Sequence, residues 1–246
     1  MARPVHAVQL YTLRGSLQED LGGTLKRVAE IGYEAVELYR IEEYFDAYKS
    51  ALEETGLRAL SAHASLIEGD PRAAIQAAVG LGVRTLIEPR IAVSRWTNRA
   101  DIEDAAAELS AVADLARPSG VTVGYHNHHE EFAVDIHGTT GLEIFANALS
   151  EDVVLEVDTF WAEVGGVSAP ALLSRLGDRV KFLHVKDGLC STNLKSQTAL
   201  GKGQMPLAAI LAAAPNAARI AELDDFSGDM FTAVEESFKF LSEVDR

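Results

Sequence analysis

Short runs rich in β-branched and aromatic residues alternate along the chain with longer Ala/Leu/Glu-rich segments whose apolar positions recur at three and four residues. Strand-like and helix-like stretches taking turns in this way are the pattern of βα units feeding a parallel sheet. The predicted strands are Val5–Leu10, Ala35–Tyr39, Arg58–His63, Arg84–Glu88, Thr122–His126, Val153–Asp158, Val180–His184 and Arg219–Glu222. Leu21–Ile31, Asp101–Ala116 and Thr232–Leu241 carry the clearest helical period. Eight units in 246 residues come to about 31 residues each, close to what a (β/α)8 barrel of about 250 residues requires. Gly32, Gly56, Gly82 and Gly120 each follow a helical stretch and precede a strand, where a helix C-terminus turns with positive φ. With no linker or charge block in the series, residues 1–246 read as a single-domain α/β chain, a TIM barrel. A doubly wound open sheet competes, but it normally carries a Gly-rich phosphate loop after its first strand. Here that strand runs into VQLYTLRG.

Composition narrows the partners. At 48% hydrophobic and 24% charged, the chain matches ordinary soluble globular proteins. Its 22 Lys and Arg against 37 Asp and Glu give a net charge of −15, which repels phosphate backbones and anionic membrane surfaces. Nucleic acid and membranes are therefore not expected as partners, and a small molecule is. The single cysteine, Cys190, permits neither an internal disulfide nor a zinc-thiolate cluster, which fits a reducing compartment. The N-terminal MARPVHAVQLYTLRG lacks the apolar core of a signal peptide, so a cytoplasmic location is the simplest expectation.

In a barrel the chemistry collects where the strands end. The predicted strands end in Gln9, Glu37, His63, Glu88, His126 with His128, Asp158, His184 with Lys186, and Glu222 with Asp224. Burying so many charges at one mouth costs several kcal/mol for each unpaired carboxylate, and a divalent cation would neutralise them. Histidine with carboxylate and no thiolate suits Mn²⁺, Zn²⁺, Co²⁺ or Fe²⁺ better than Ca²⁺. Mn²⁺ is the first choice, with Mg²⁺ kept open. Asp158, His184 and Glu222 close three consecutive strands and can converge on one ion. His126, closing the strand before them, is chosen as the fourth ligand, though another residue is not eliminated. Alternation puts His128 on the same face.

A histidine closing a strand is more often a hydrogen-bonded structural residue than a ligand. For His184 the weighting reverses, because His-Val-Lys-Asp closes an apolar strand beside Asp158. Gln9, Glu37, His63, Trp161 and Asp224 are expected to meet the substrate, with Trp161 either a stacking wall or a packing residue. His129 and His137 read as solvated loop residues. Glu88 either pairs with Arg90 or Arg95 or serves the chemistry. Glu130, Glu131, Asp224 and Asp225 read by default as partly surface charge.

Eight segments carry a wider likeness: VQLYTLR at 8–14, IGYEAVEL at 31–38, SAH at 61–63, GYHNHHEEF at 124–132, LEVDTFWAEVGG at 155–166, FLHVKDG at 182–188, GKGQM at 201–205 and AELDD at 221–225. Together they resemble the xylose-isomerase-like TIM-barrel superfamily, often labelled sugar phosphate isomerase/epimerase, over the full chain. YHNH followed by EF, and the His-x-Lys-Asp, are the specific parts. The resemblance implies that Asp158, His184 and Glu222 are metal ligands and that the strand bearing His126 supplies a fourth. Many ketose epimerases of the superfamily have Glu at that fourth position and His three residues after the ligand Asp, where this chain has His126 and Trp161. Those departures point to the YHNH-bearing subgroup, which is associated with sugars, inositols and oxidised glycosides. The DNA-repair endonucleases of the same fold need a three-zinc cluster and a DNA-binding face, which a charge of −15 disfavours.

The expected function is a divalent-metal-dependent sugar isomerase or epimerase, moving a proton beside a carbonyl through a metal-stabilised enediolate. Glu222 is the candidate base from one side and His128 from the other, as inversion at carbon requires. Lys186 either stabilises an oxyanion or binds a substrate carboxylate or phosphate. The runner-up is a lyase or dehydratase acting on keto sugars, inositols or 3-keto-glycosides. A metal-dependent hydrolase and a catalytically silent sugar-binding barrel stand further back. A homodimer is expected only by analogy with the fold.

Overall fold

A computed structural model describes residues 4–245; Met1–Arg3 and Arg246, the ends of the expected domain, lie outside the described residues. Its barrel strands are β1 (His6–Gln9), β2 (Ala35–Tyr39), β3 (Arg58–His63), β4 (Thr85–Glu88), β5 (Thr122–His126), β6 (Val154–Asp158), β7 (Val180–Val185) and β8 (Ala218–Ala221). Each pairs in parallel with its neighbours, and β8 returns to β1, closing an eight-strand barrel. All eight predicted strands form; Ala35–Tyr39, Arg58–His63 and Thr122–His126 keep both predicted ends, and no end of the others moves by more than one residue. β1 stops at Gln9 because the Gln9 side chain accepts from the Tyr11 amide and turns Leu10–Leu13 into a 3-10 helix. β8 stops at Ala221, so Glu222 opens the following loop.

Helices Leu21–Ile31, Phe45–Thr55, Pro71–Leu81, Arg99–Ala116, Gly141–Ala148, Ala169–Leu176, Leu207–Ala213 and Met230–Val244 surround the sheet. Two run longer than their hydrophobic period predicts, because side-chain caps set their starts. Asn98 accepts from the Asp101 amide and Asp229 from the Thr232 amide. Gly32, Gly56, Gly82 and Gly120 all cap helix C-termini with φ between 70 and 116°, as their positions predict. One large apolar cluster fills the space between helices and sheet, with Leu25, Leu86, Leu109, Phe145, Leu172 and Ile210 at or near zero exposure. Each such side chain contributes about 1.5–3 kcal/mol by leaving water.

Inside the barrel a separate apolar floor of Ala7, Ala35, Ile87, Phe182 and Ile220 closes the end where the strands begin. Polar side chains can therefore accumulate only above it, toward the strand C-termini. Register sets them at matched heights: Gln9 opposite Glu37, His126 opposite Glu156, and Asp158 opposite His184. Among the described residues, no helix is long and apolar enough to cross a membrane.

Candidate functional site

Successive residues of a strand point to opposite faces, so an inward residue is followed by another two positions on. Four segments exploit this, each sending a polar pair inward: His126 and His128, Glu156 and Asp158, His184 and Lys186, Glu222 and Asp224. His126, Asp158, His184 and Glu222 are all buried, and one ligand atom from each lies within 4.8 Å of the others. Nε2 of His126 is 3.9 Å from Oδ2 of Asp158, and Nδ1 of His184 is 2.7 Å from Oε2 of Glu222. Two imidazoles and two carboxylates form a donor set that fits a divalent transition metal or Mn²⁺. Four residues expected to be ligands are thus brought together. Asp158 is held from behind, its Oδ1 accepting from the Trp161 amide at 2.9 Å to cap the helix Thr159–Val164.

Lys186 lies over the quartet, fully buried, with Nζ 2.8 Å from carboxylate oxygens of Asp158, Glu222 and Asp224. Burial alone would discharge the ammonium, but the three acids reverse that and hold its pKa well above the ordinary lysine value. Glu222 shows the complementary effect: burial pushes its carboxyl up, and the charges of Lys186 and His184 more than offset this, keeping it below the usual range. Burial raises Asp158 to about 6, against the opposing charges of Lys186 and His184.

Sequence reasoning overlooked Glu156. Its Oε1 lies 2.7 Å from Nε2 of His63 and 3.1 Å from both Nδ1 of His126 and Nε2 of His184. The signal was available, since Glu156 stands two residues before Asp158 and so shares its face. Gln9 and Glu37 correct an expectation: they lie off the cavity wall, beneath the quartet, fully buried. Gln9 donates to Oε1 of Glu37 at 2.8 Å, the Ser61 hydroxyl donates to Oε2, and Nε2 of His184 lies 2.6 Å from Oε1.

Above the quartet opens a cavity of about 750 Å³, in the range of small-molecule sites. Tyr11, His63, His128, Trp161, Glu222 and Asp224 are among its lining residues. His128 is neutral there: burial, then the charges of Lys186 and Arg90, push its imidazole down to about 3. Its Nδ1 is buried without a hydrogen-bond partner. Trp161 is buried, its ring 5.5 Å from the Lys186 ammonium and 5.1 Å from the His129 ring. His129 lines the cavity while its side chain stays 38% exposed, and His137 is exposed in a hairpin turn as expected.

Glu88 and Glu131 have a different purpose from those considered for them. Glu88 accepts the amides of Leu66 and Ile67 at 2.7 and 2.9 Å, while Arg90 pairs with Glu130 and Arg95 with Glu108. Glu131 is buried, not a surface charge: it accepts from the Tyr125 hydroxyl and from the His128 amide, fastening the loop that carries His128. The Tyr-His-Asn-His segment thus divides its labour. Asn127 grips the backbone of β6, donating to the Asp158 carbonyl at 3.2 Å and accepting its amide at 3.0 Å, while His126 and His128 turn inward. Asp187, next to Lys186, faces the other way and accepts the amides of Gly188, Gly201, Gly203 and Met205 at 2.8–3.0 Å.

The sequence model of the family described as xylose isomerase-like TIM barrel matches residues 25–241. Among solved structures, a sugar phosphate isomerase/epimerase from Parabacteroides distasonis is 24% identical, with a TM-score of 0.80 and 98% of this chain and 94% of that one covered. A probable 3-DHS dehydratase from Bacillus anthracis is 12% identical, with a TM-score of 0.76 and coverages of 97% and 98%. The IolI protein with a bound zinc atom is 15% identical, with a TM-score of 0.74 and coverages of 98% and 97%. Among curated proteins none matches the sequence.

Proposed function

The chain belongs to the xylose isomerase-like TIM barrel family, and on that footing we propose that it is a divalent-metal-dependent isomerase or epimerase of a sugar or sugar derivative. The observation that carries this reading is the buried quartet of His126, Asp158, His184 and Glu222 at the bottom of a cavity of about 750 Å³. His126, Asp158, His184 and Glu222 would hold a divalent ion, and when bound it would supply Lewis-acid polarisation of a substrate carbonyl. The remaining work falls to the protein. Glu222 stays ionised and receives a proton from the carbon beside the carbonyl. His128, neutral and with an unpartnered ring nitrogen, exchanges a proton from another side, since β5 and β8 stand three steps apart around the ring. Lys186, held charged by its three acids, faces developing negative charge on substrate oxygen. Trp161 and Tyr11 offer apolar rings on the cavity wall against which a sugar face packs.

The test is NMR of keto sugars incubated with metal-loaded protein in deuterated water. Isomerisation or epimerisation keeps the molecular formula and places deuterium beside the carbonyl; a product that has lost water or an alcohol reassigns the enzyme to the lyases. Glu222→Gln is expected to abolish turnover while leaving substrate affinity measurable, and unchanged turnover removes Glu222 from its role.

A further inference from the structure

A neutral imidazole carries one N–H, and only its other nitrogen can bind a metal, so each ligating histidine needs a partner that fixes its proton. The two imidazoles of the quartet meet this requirement in opposite senses. His126 turns Nε2 toward Asp158 and Nδ1 toward Oε1 of Glu156, the latter at 3.1 Å. His184 turns Nδ1 toward Glu222 and Nε2 toward Glu37 and Glu156, at 2.6 and 3.1 Å. Both carboxylates beneath are fully buried, and Glu37 is itself held by Gln9 and Ser61.

We infer that Glu37 and Glu156 are positioning residues, which accept the N–H of His184 and His126 from below so that Nδ1 of His184 and Nε2 of His126 face a single ion. The inference rests on the metal-dependent reading above and specifies how the protein sets it up. It also decides between two uses of the lower cluster. His63, His126, Glu156 and His184 likewise place ligand atoms within 4.8 Å of one another, as a second ion site would. The contacts there already account for protons: Oε1 of Glu156 lies 2.7 Å from Nε2 of His63 and 3.1 Å from Nδ1 of His126 and Nε2 of His184, and Oε1 of Glu37 lies 2.6 Å from Nε2 of His184, so each N–H turned downward has a carboxylate acceptor without an ion. Oε2 of Glu156 is buried without a hydrogen-bond partner and would be open to a second ion, so ion stoichiometry is a decisive measurement.

The experiment has three arms. In Zn²⁺-loaded wild type, long-range ¹⁵N–¹H correlation is expected to show His126 protonated on Nδ1 and His184 on Nε2; any other pair of tautomers overturns the inference. Glu156→Gln and Glu37→Gln are expected to weaken Co²⁺ binding about 10- to 100-fold and to alter the visible absorption of bound Co²⁺, with circular dichroism unchanged. Wild-type affinity and spectrum in both variants overturn it. Metal analysis is expected to return one ion per chain, and two overturn it. Wild type that binds neither Zn²⁺ nor Co²⁺ sinks the metal-dependent reading as well, whereas normal binding with indifferent variants sinks only this inference. Should a variant not fold, the wild-type tautomers decide.

Discussion

The two ends of the barrel both gather buried ionisable groups, and they balance them differently. At the end where the strands begin, Asp245 meets His6 of β1 at 2.6 Å and Arg219 of β8. One acid there serves a guanidinium and an imidazole, and the cluster ties the end of the last helix to two strands. At the opposite end, Asp158, Glu222 and Asp224 surround one permanent cation, Lys186, while Glu37 and Glu156 lie against the imidazoles of His63, His126 and His184. The first set pairs its charges without an added ion. The second reaches neutrality only with protons or an added cation, which is the physical difference between a fastening and a reaction centre.

Four predictions probe that contrast. Glu222→Gln should lower deuterium incorporation into substrate by about 10²- to 10⁴-fold, the usual worth of a positioned base, while Asp245→Asn leaves it nearly unchanged. Loss of turnover in the Asp245 variant would break the distinction. Asp245→Ala should instead destabilise the fold by about 3–5 kcal/mol in urea unfolding, since it strands Arg219, which is 5% exposed. Mn²⁺ or Zn²⁺ at one hundred times its dissociation constant should stabilise the native state by about 2.7 kcal/mol, reversibly with a chelator. Asp158→Asn should erase most of that gain.

The last expected effect is spread over pH and concerns the loop beneath His128. Burial raises Glu131 to about 7, despite hydrogen bonds from Tyr125 and the His128 amide, against 4.5 for an unperturbed glutamate. A raised folded-state value means the native state holds the proton more tightly than the unfolded chain. Its contribution is therefore complete below pH 4.5 and is lost as pH climbs through about 7. Unfolding free energies measured across that window should fall by at most about 1.4 kcal/mol per pH unit from this group. Glu131→Gln should flatten that part of the profile; an unaltered slope would show that Glu131 does not titrate there.

The barrel was legible because its determinants are local. Short β-rich runs, helical periods and glycines such as Gly32 and Gly82 announce each unit without knowledge of its neighbours. Convergence of Asp158, His184 and Glu222 was legible for a related reason, since consecutive parallel strands end side by side. Glu156 and Glu131 were missed because their significance depends on what lies across the barrel or beneath a loop. Glu131 looks like one charge in an acidic run until Tyr125 and the His128 amide close over it. Gln9 and Glu37 were placed one layer too high, because strand position alone does not reveal how deep in the stagger a side chain sits.

Asp187 has a consequence for the wall of the cavity. By gathering the amides of Gly188, Gly201, Gly203 and Met205 on one carboxylate, it staples both ends of an excursion at a single point. The approach is so close that a Cβ on Gly203 would stand 2.2 Å from the carboxylate oxygen. Between the stapled ends, Thr192 and Leu194 border the cavity. Both ends of that stretch are thereby fixed to the strand that carries His184, so this part of the cavity wall is held in place relative to the quartet.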